Sequence, residues 1–203
     1  MKTKTNLAIL ASGNGSNFEA IIKAIKKGFL DVGHTVLITD KKNSFVRKRA
    51  KKYQIKDIFV DPRKFKNRRD FDKELIRILN KEKINIIALA GYMRLLSSFF
   101  VEHFKNKILN IHPSLLPSFA GSNAIAEAYN YGIKITGVTV HFVSQKVDQG
   151  PIIAQTAIPV EDNIQLKELE EKIHKAEHLL YPKILKMFLE GKLKTSGRYV
   201  KIT

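Results

Sequence analysis

Apolar runs alternate with segments of helical period along most of the chain. Residues 6–11 read as a buried strand, with a continuous apolar run from Leu7 to Ala11 that stops at Ser12, Gly13, Asn14 and Gly15, and residues 18–27 then place apolar side chains at helical spacing. The same alternation predicts strands over 34–39 and 57–60 and helices over 44–53 and 71–80. Residues 84–90 are apolar almost throughout, the mark of a central strand covered on both faces. A strand over 108–111 and a helix over 121–131 follow. Residues 134–143 alternate at their far end, with Val138, Val140 and Phe142 on one face and Thr139 and His141 on the other. A polar loop then returns residues 151–160 as a strand, antiparallel because the connection is short. Over 165–191, Leu166, Leu169, Ile173, Ala176 and Leu180 keep helical spacing, and Pro182 is expected to kink or split that helix. Residues 192–203 read as a terminal strand or extended arm. The pattern predicts an α/β fold: a mostly parallel twisted sheet with helices on both faces and antiparallel strands toward the C-terminal part. No repeat, low-complexity segment or linker interrupts it, so one domain over 1–203 is expected.

Composition narrows the function classes. The chain has 203 residues, 44% of them hydrophobic, which suits a globular domain. There is no cysteine, which excludes disulfides, thiolate zinc sites and cysteine nucleophiles and fits a reducing compartment. The first apolar run is too short for a signal segment and no run approaches transmembrane length, so a cytoplasmic protein without a membrane partner is expected. The formal charge is +17, and residues 41–83, with 17 basic and 6 acidic residues, carry +11 of it. Such a segment suits nucleic acid or the steering of small anions. It matches no known nucleic-acid module, so a solvated lysine-rich surface is the expectation and nucleic acid is not an expected partner.

Three places carry candidate chemistry. The first is the end of the strand over 108–111, where Asn110 and His112 share a face and precede Pro113. Ligands of open α/β sheets bind beyond such strand ends. A donor amide beside an imidazole that passes protons suits attack on a carbonyl. The second is the turn Gly13-Asn14-Gly15-Ser16-Asn17 between strand and helix, which aims backbone N–H groups at a phosphate, with Ser16 or Asn17 as the expected N-cap. Asp40 after the second strand imitates the ribose acid of a dinucleotide site. However, the third glycine of that fingerprint falls on the bulky Phe18, so a single phosphate of a mononucleotide-like ligand fits better. The third place is Gly91 to Leu96, where Arg94 stands among apolar side chains that suit a flat heterocycle. His174, Glu177 and His178 also spell H-x-x-E-H, the pattern of inverted zinc proteases, but no third ligand is identifiable and no metal is expected.

Four segments, Ser12 to Asn17, Leu89 to Ser97, Leu109 to Pro117 and Val140 to Pro151, together resemble the phosphoribosylglycinamide formyltransferase family, the folate-dependent transformylases of purine synthesis. They run through most of the chain in the family's order. The resemblance implies formyl transfer from 10-formyltetrahydrofolate, as co-substrate, to the amino group of glycinamide ribonucleotide. By resemblance Asn110, His112 and Asp148 are catalytic. Gly13, Asn14, Gly15, Ser16 and Asn17 hold the ribonucleotide phosphate, and Glu177 meets the ribose. Arg68, Met93, Arg94, Leu95, Leu96, Asn110 and the loop Ser144, Gln145, Lys146, Val147, Asp148 line the folate site. The chain departs from the family at Ala120, where proline is more usual, and across the basic 41–66 region.

The chemistry suits the residues. A neutral amine attacks the formyl carbon, Asn110 donates to the oxyanion, and His112 acts as acid with Asp148 favouring its charged form. Methionyl-tRNA formyltransferase and formyltetrahydrofolate deformylase share the catalytic segment, yet each normally carries a further domain. A nucleic-acid-binding α/β module using the 41–83 surface is the alternative from a different class, to be recognised by salt-dependent binding.

Overall fold

The computed structural model of the protein describes residues 4–203. Strands β1 (Leu7–Leu10), β2 (Thr35–Thr39), β3 (Lys56–Phe59), β4 (Ile86–Leu89) and β5 (Ile108–His112) run parallel; β6 (Ile135–Phe142) and β7 (Ile152–Pro159) are antiparallel to their neighbours. The sheet order is β3-β2-β1-β4-β5-β6-β7. Helices α1 (Ser16–Lys26), α2 (Phe45–Tyr53), α3 (Arg68–Lys81), α4 (Ser98–His103), α5 (Ala124–Tyr131) and α6 (Leu166–Leu189) cover it. The expected α/β architecture, with its antiparallel C-terminal part, is the observed one.

Side-chain alternation along the central strands divides the core in two. Leu7, Ile9, Ile86, Leu109 and Ile111 face α1 and α6, packing with Phe18, Ile22, Ile173 and Ile184. Ala8, Leu10, Ile87 and Leu89 face α3 and α4, packing with Phe71, Leu75 and Phe100. Every residue of β1, β2 and β4 is buried, in keeping with the unbroken apolar sequences of β1 and β4.

From β1 the chain winds outward through β2 to β3, then returns to the other side of β1 for β4. The turns after β1 and β4 therefore meet at the point where strand order reverses, the usual place for a ligand crevice. Ser12 ties them together: its N–H donates to Gly91 O at 3.0 Å and its hydroxyl oxygen accepts from Met93 N–H at 2.9 Å. That hydroxyl in turn donates to the buried Asp40 at 2.6 Å, so the carboxylate after β2 is held by Ser12.

Several expectations need correction. Helix α1 begins at Ser16, capped by Gly15 at φ 77°, with no side-chain cap; neither Ser16 nor Asn17 is the N-cap. Gly15 takes the αL conformation that glycine alone adopts easily, and it offers no side-chain oxygen to the first turn. Pro182 does not split the last helix, which runs unbroken from Leu166 to Leu189. Burial of Leu180, Tyr181, Ile184 and Leu185 around it outweighs the one backbone bond a proline forfeits. The C-terminal arm is a separate hairpin, β8 (Leu193–Ser196) with β9 (Tyr199–Ile202). The short helix α4 and a 3-10 turn over Pro62–Lys64 had no pattern long enough to reveal them.

One bond fastens α6 to the strands that carry the site. The buried Tyr181 hydroxyl is shared between the carbonyl oxygens of Leu89, at 3.0 Å, and Leu109, at 2.8 Å. Tyr181→Phe is expected to lose about 1–2 kcal/mol of stability, the worth of a buried hydrogen bond, with the urea midpoint shifted and the m-value retained. An unchanged midpoint would show that the hydroxyl is not a fastening.

Candidate active site

The antiparallel register of β5 and β6 sets Asn110 opposite His141 and His112 opposite Thr139. Their neighbours Leu109, Ile111, Val140 and Phe142 point into the α6 side of the core. The four polar side chains therefore share the other face of the sheet.

Hydrogen bonds fix which nitrogens carry protons. His141 Nδ1–H donates to the Phe142 carbonyl at 2.9 Å, so its Nε2 is the acceptor for the Asn110 amide at 3.2 Å. Burial holds the His141 ring below the usual histidine range, which keeps it neutral and suited to accept. His112 Nε2–H donates to the Phe119 carbonyl at 2.8 Å, and this leaves Nδ1 as the atom facing Asp148, 3.6 Å from Oδ2. Asp148 Oδ1 lies 3.7 Å from His141 Nε2, and Oδ2 accepts from Gly121 N–H at 2.9 Å. One carboxylate thus stands between two imidazoles.

Both loops that complete this group are pinned. Thr139 Oγ1 donates to Ser114 O at 2.7 Å and accepts from Leu116 N–H at 3.1 Å, holding the segment after His112 against β6. On the other side, a Cβ at Gly150 would lie 1.6 Å from the Phe142 carbonyl oxygen; only glycine lets the Asp148 loop close so tightly on β6. Within that loop Ser144 Oγ donates to Lys146 O at 3.0 Å, and Gln145, Lys146 and Val147 are exposed.

The glycine turn lies at the C-terminal end of β1. Gly13 O accepts from Val46 N–H at 3.1 Å, and a Cβ on Gly15 would meet Val46 at 2.4 Å, so α2 sets how the turn lies. Asn14 is gripped by Arg49, which bonds its carbonyl at 3.0 Å and its side-chain oxygen at 2.9 Å. The first turn of α1, over Ser16 and Asn17, has no side-chain cap, the arrangement that leaves N–H groups for an anion. Across from it the buried Glu177 accepts at Oε2 from Asn17 Nδ2 and from His174 Nδ1, each at 2.9 Å.

The segment after β4 presents exposed Met93 and Leu95, with Arg94 and Leu96 half-buried. The Arg94 guanidinium lies 4.7 Å from the centre of the Phe71 ring. Asp72 accepts from Ser97 N–H at 2.6 Å and anchors the end of the segment; burial pushes its carboxyl up, against that hydrogen bond. Arg68 stands exposed in the first turn of α3, and among the described residues no hydrogen bond joins it to the 144–148 loop.

The chain matches the formyl transferase family over residues 5–185. It belongs to that family. This formyl transferase is 42% identical over 182 residues to phosphoribosylglycinamide formyltransferase of Bacillus subtilis, covering 90% of this chain and 93% of that protein. It is 39% identical to the trifunctional purine biosynthetic protein adenosine-3 of Homo sapiens across 94% of its own length, which spans 19% of that larger protein. The crystal structure of glycinamide ribonucleotide transformylase 1 from Symbiobacterium toebii superposes with a TM-score of 0.96 at 37% identity, covering all of this chain and 95% of that one.

Of the residues singled out in this formyl transferase, the fold brings Asn110, His112 and Asp148 together beside Ser144 to Val147. It joins Gly13 to Asn17 with Glu177, and links Met93 to the glycine turn through Ser12. Sequence reasoning passed over His141, although the alternation in β6 had already placed it with Thr139 on a polar face. Its acceptor role depends on a tautomer that only the folded neighbours reveal.

The depressed His141 value has a stability consequence. The unfolded chain takes up a proton near pH 6.5, whereas the buried ring resists it, so stability falls as pH drops below that value and levels off beneath the folded one. His141→Gln is expected to show a shallower loss in that window when unfolding by urea is followed across a pH series. Parallel curves for the two proteins would contradict a neutral buried ring.

Proposed function

We propose that the protein transfers a formyl group from 10-formyltetrahydrofolate to the amino group of glycinamide ribonucleotide, a step of de novo purine synthesis carried out in the cytosol. The observation that carries this reading is the cluster of Asn110, His112, His141 and Asp148 at the strand ends, with a helix N-terminus that has no side-chain cap after β1 and a partly exposed apolar segment after β4. The names of the relatives agree with it. Among the described residues no helix is long and apolar enough to cross a membrane.

In this reading the ribonucleotide phosphate lies against the first turn of α1, its ribose at Glu177, and its amine at the 110–112 strand end. The folate lies between Met93 to Leu96, Arg68 and the 144–148 loop. The amine lone pair forms a bond to the formyl carbon and the carbonyl electrons move onto oxygen. The Asn110 amide, oriented by its bond to neutral His141, donates to that oxyanion. His112 carries the second donor. Here its Nε2–H is held by the Phe119 carbonyl, and the mechanism requires that donor to turn to the formyl oxygen. Asp148 faces the other nitrogen and stabilises the imidazolium that holds a proton on both. Collapse breaks the bond to the folate nitrogen, which takes up a proton as the amine loses one, through His112 or water. Hydrogen-bond donors meet all the developing charge, so the step asks for no metal.

The deciding experiment is an assay of purified protein with 10-formyltetrahydrofolate and either glycinamide ribonucleotide or water as acceptor. Formylated ribonucleotide is expected, and release of formate alone would make the protein a deformylase. His112→Ala is expected to lower kcat by about 10²–10⁴-fold, the usual worth of a general acid, with the fold intact by circular dichroism. Near-normal turnover would remove His112 from the mechanism.

Ser16→Asp is expected to raise the ribonucleotide KM strongly and leave the folate KM nearly unchanged. The new carboxylate would occupy the phosphate's donors and repel its charge. Equal effects on both substrates would remove the phosphate from α1.

A further inference from the structure

The mechanism leaves two histidines of α6 without a task. His174 and His178 lie one turn apart and flank Glu177, the spelling that suggested zinc. In the fold that spelling has a different use. Glu177 is 4% exposed, and its Oε2 receives both the Asn17 amide and His174 Nδ1. Among the described residues nothing donates to Oε1, the oxygen left for a substrate hydroxyl. The His178 ring stacks on that of His174, with centroids 6.4 Å apart and planes 13° from parallel, and its buried Nε2 has no protein partner among the described residues.

The electrostatics of this corner are unusual for a phosphate site. Glu177 touches Asn17, a residue of the very turn that offers N–H groups to an anion. An uncompensated buried carboxylate there would repel the phosphate, and low dielectric would make the repulsion strong. The cations nearby are Lys23 of α1 and Arg49 of α2, and both also serve Glu19, which Arg49 contacts directly and Lys23 approaches at 3.5 Å. Glu170 of α6 adds further negative charge. The group bonded to Glu177 itself is His174, whose side chain is 48% exposed and free to exchange protons with water. The hydrogen bond to Glu177 holds its ring above the usual histidine range, while burial holds His178 below it. Two parallel rings this close carry one charge more easily than two, and the geometry gives that charge to His174.

We propose that His174 is a positioning residue for the acceptor substrate: as imidazolium it neutralises Glu177 beside the phosphate turn, so ribonucleotide affinity falls when His174 loses its proton. The inference rests on the ribonucleotide reading above and extends it to the charge balance of that half-site. The chain has a built-in proton dependence of acceptor binding that is separate from the chemical step at His112.

The test is the ribonucleotide KM of wild type and His174→Gln at saturating folate, across about pH 6 to 9. Glutamine still donates a hydrogen bond to Glu177 and carries no charge. Titration of the substrate's own phosphate and amine affects both enzymes alike and cancels in the ratio of their KM values. That ratio is expected to be roughly threefold to tenfold at the acid end, the scale of one screened charge, and to approach one at the alkaline end. The kcat and folate KM are expected to be equal in the two enzymes. A ratio that does not change with pH, in enzymes that both formylate the ribonucleotide, would overturn the inference and leave the functional reading standing. No ribonucleotide formylation by wild type would overturn both. Independently, the His174 ring titration followed by NMR is expected to move to lower pH in Glu177→Gln, and an unmoved titration would overturn the coupling.

Discussion

The register between β5 and β6 is the constraint on which the site depends. A slip of one residue would turn Asn110 and His112 into the apolar core and bring Leu109 and Ile111 to the reactive face. What prevents the slip is burial. Leu109, Ile111, Val140 and Phe142 all pack toward α6, and each one misplaced would forfeit about 1.5–3 kcal/mol of side-chain burial. The polar side chains to which the proposed mechanism gives the oxyanion are thus held by hydrophobic contacts on the opposite side of the same strands. From that side Tyr181 also fastens α6 to β5 and to its other neighbour β4, through the carbonyls of Leu109 and Leu89.

The parts of the molecule written in local pattern were legible from sequence. Unbroken apolar runs gave the central strands, helical spacing gave α1, α3 and α6, and the polar ends of β1, β4 and β5 marked the crevice. Other features depended on distant neighbours. Gly15 caps α1 because its left-handed conformation brings the turn onto Val46, a contact made across 31 positions of chain. Pro182 stays inside a helix because tertiary burial outvotes a local penalty. His141 was visible as a polar residue on a polar face, but its job follows from two hydrogen bonds that fix a tautomer. The H-x-x-E-H spelling is the reverse case: it matches a metal pattern in sequence, and in space it forms a hydrogen-bonded carboxylate beside two near-parallel rings.

Charge divides in a similar way. Part of the basic 41–83 segment is spent on surface pairs such as Arg63 with Asp61 and Arg77 with Glu74, which contribute little to stability. The overall charge of +17 still gives a field that draws anions toward the molecule, more weakly as salt rises. Within the crevice the balance is set residue by residue, by Arg49 on Asn14, by Arg94 over Phe71 and by His174 on Glu177.

Gly150 has a consequence for how this loop can change over time. Because a single methyl group there would strike the Phe142 carbonyl, the chain leaves β6 and rejoins β7 along one permitted path. Asp148 sits two positions before that pinch, anchored by the Gly121 amide, while Gln145, Lys146 and Val147 project into solvent. Mutations can therefore accumulate at the outer lip, altering which molecules it brushes against, while the distance from acid to imidazole stays the same. The loop separates the part of the enzyme that can drift from the part that cannot.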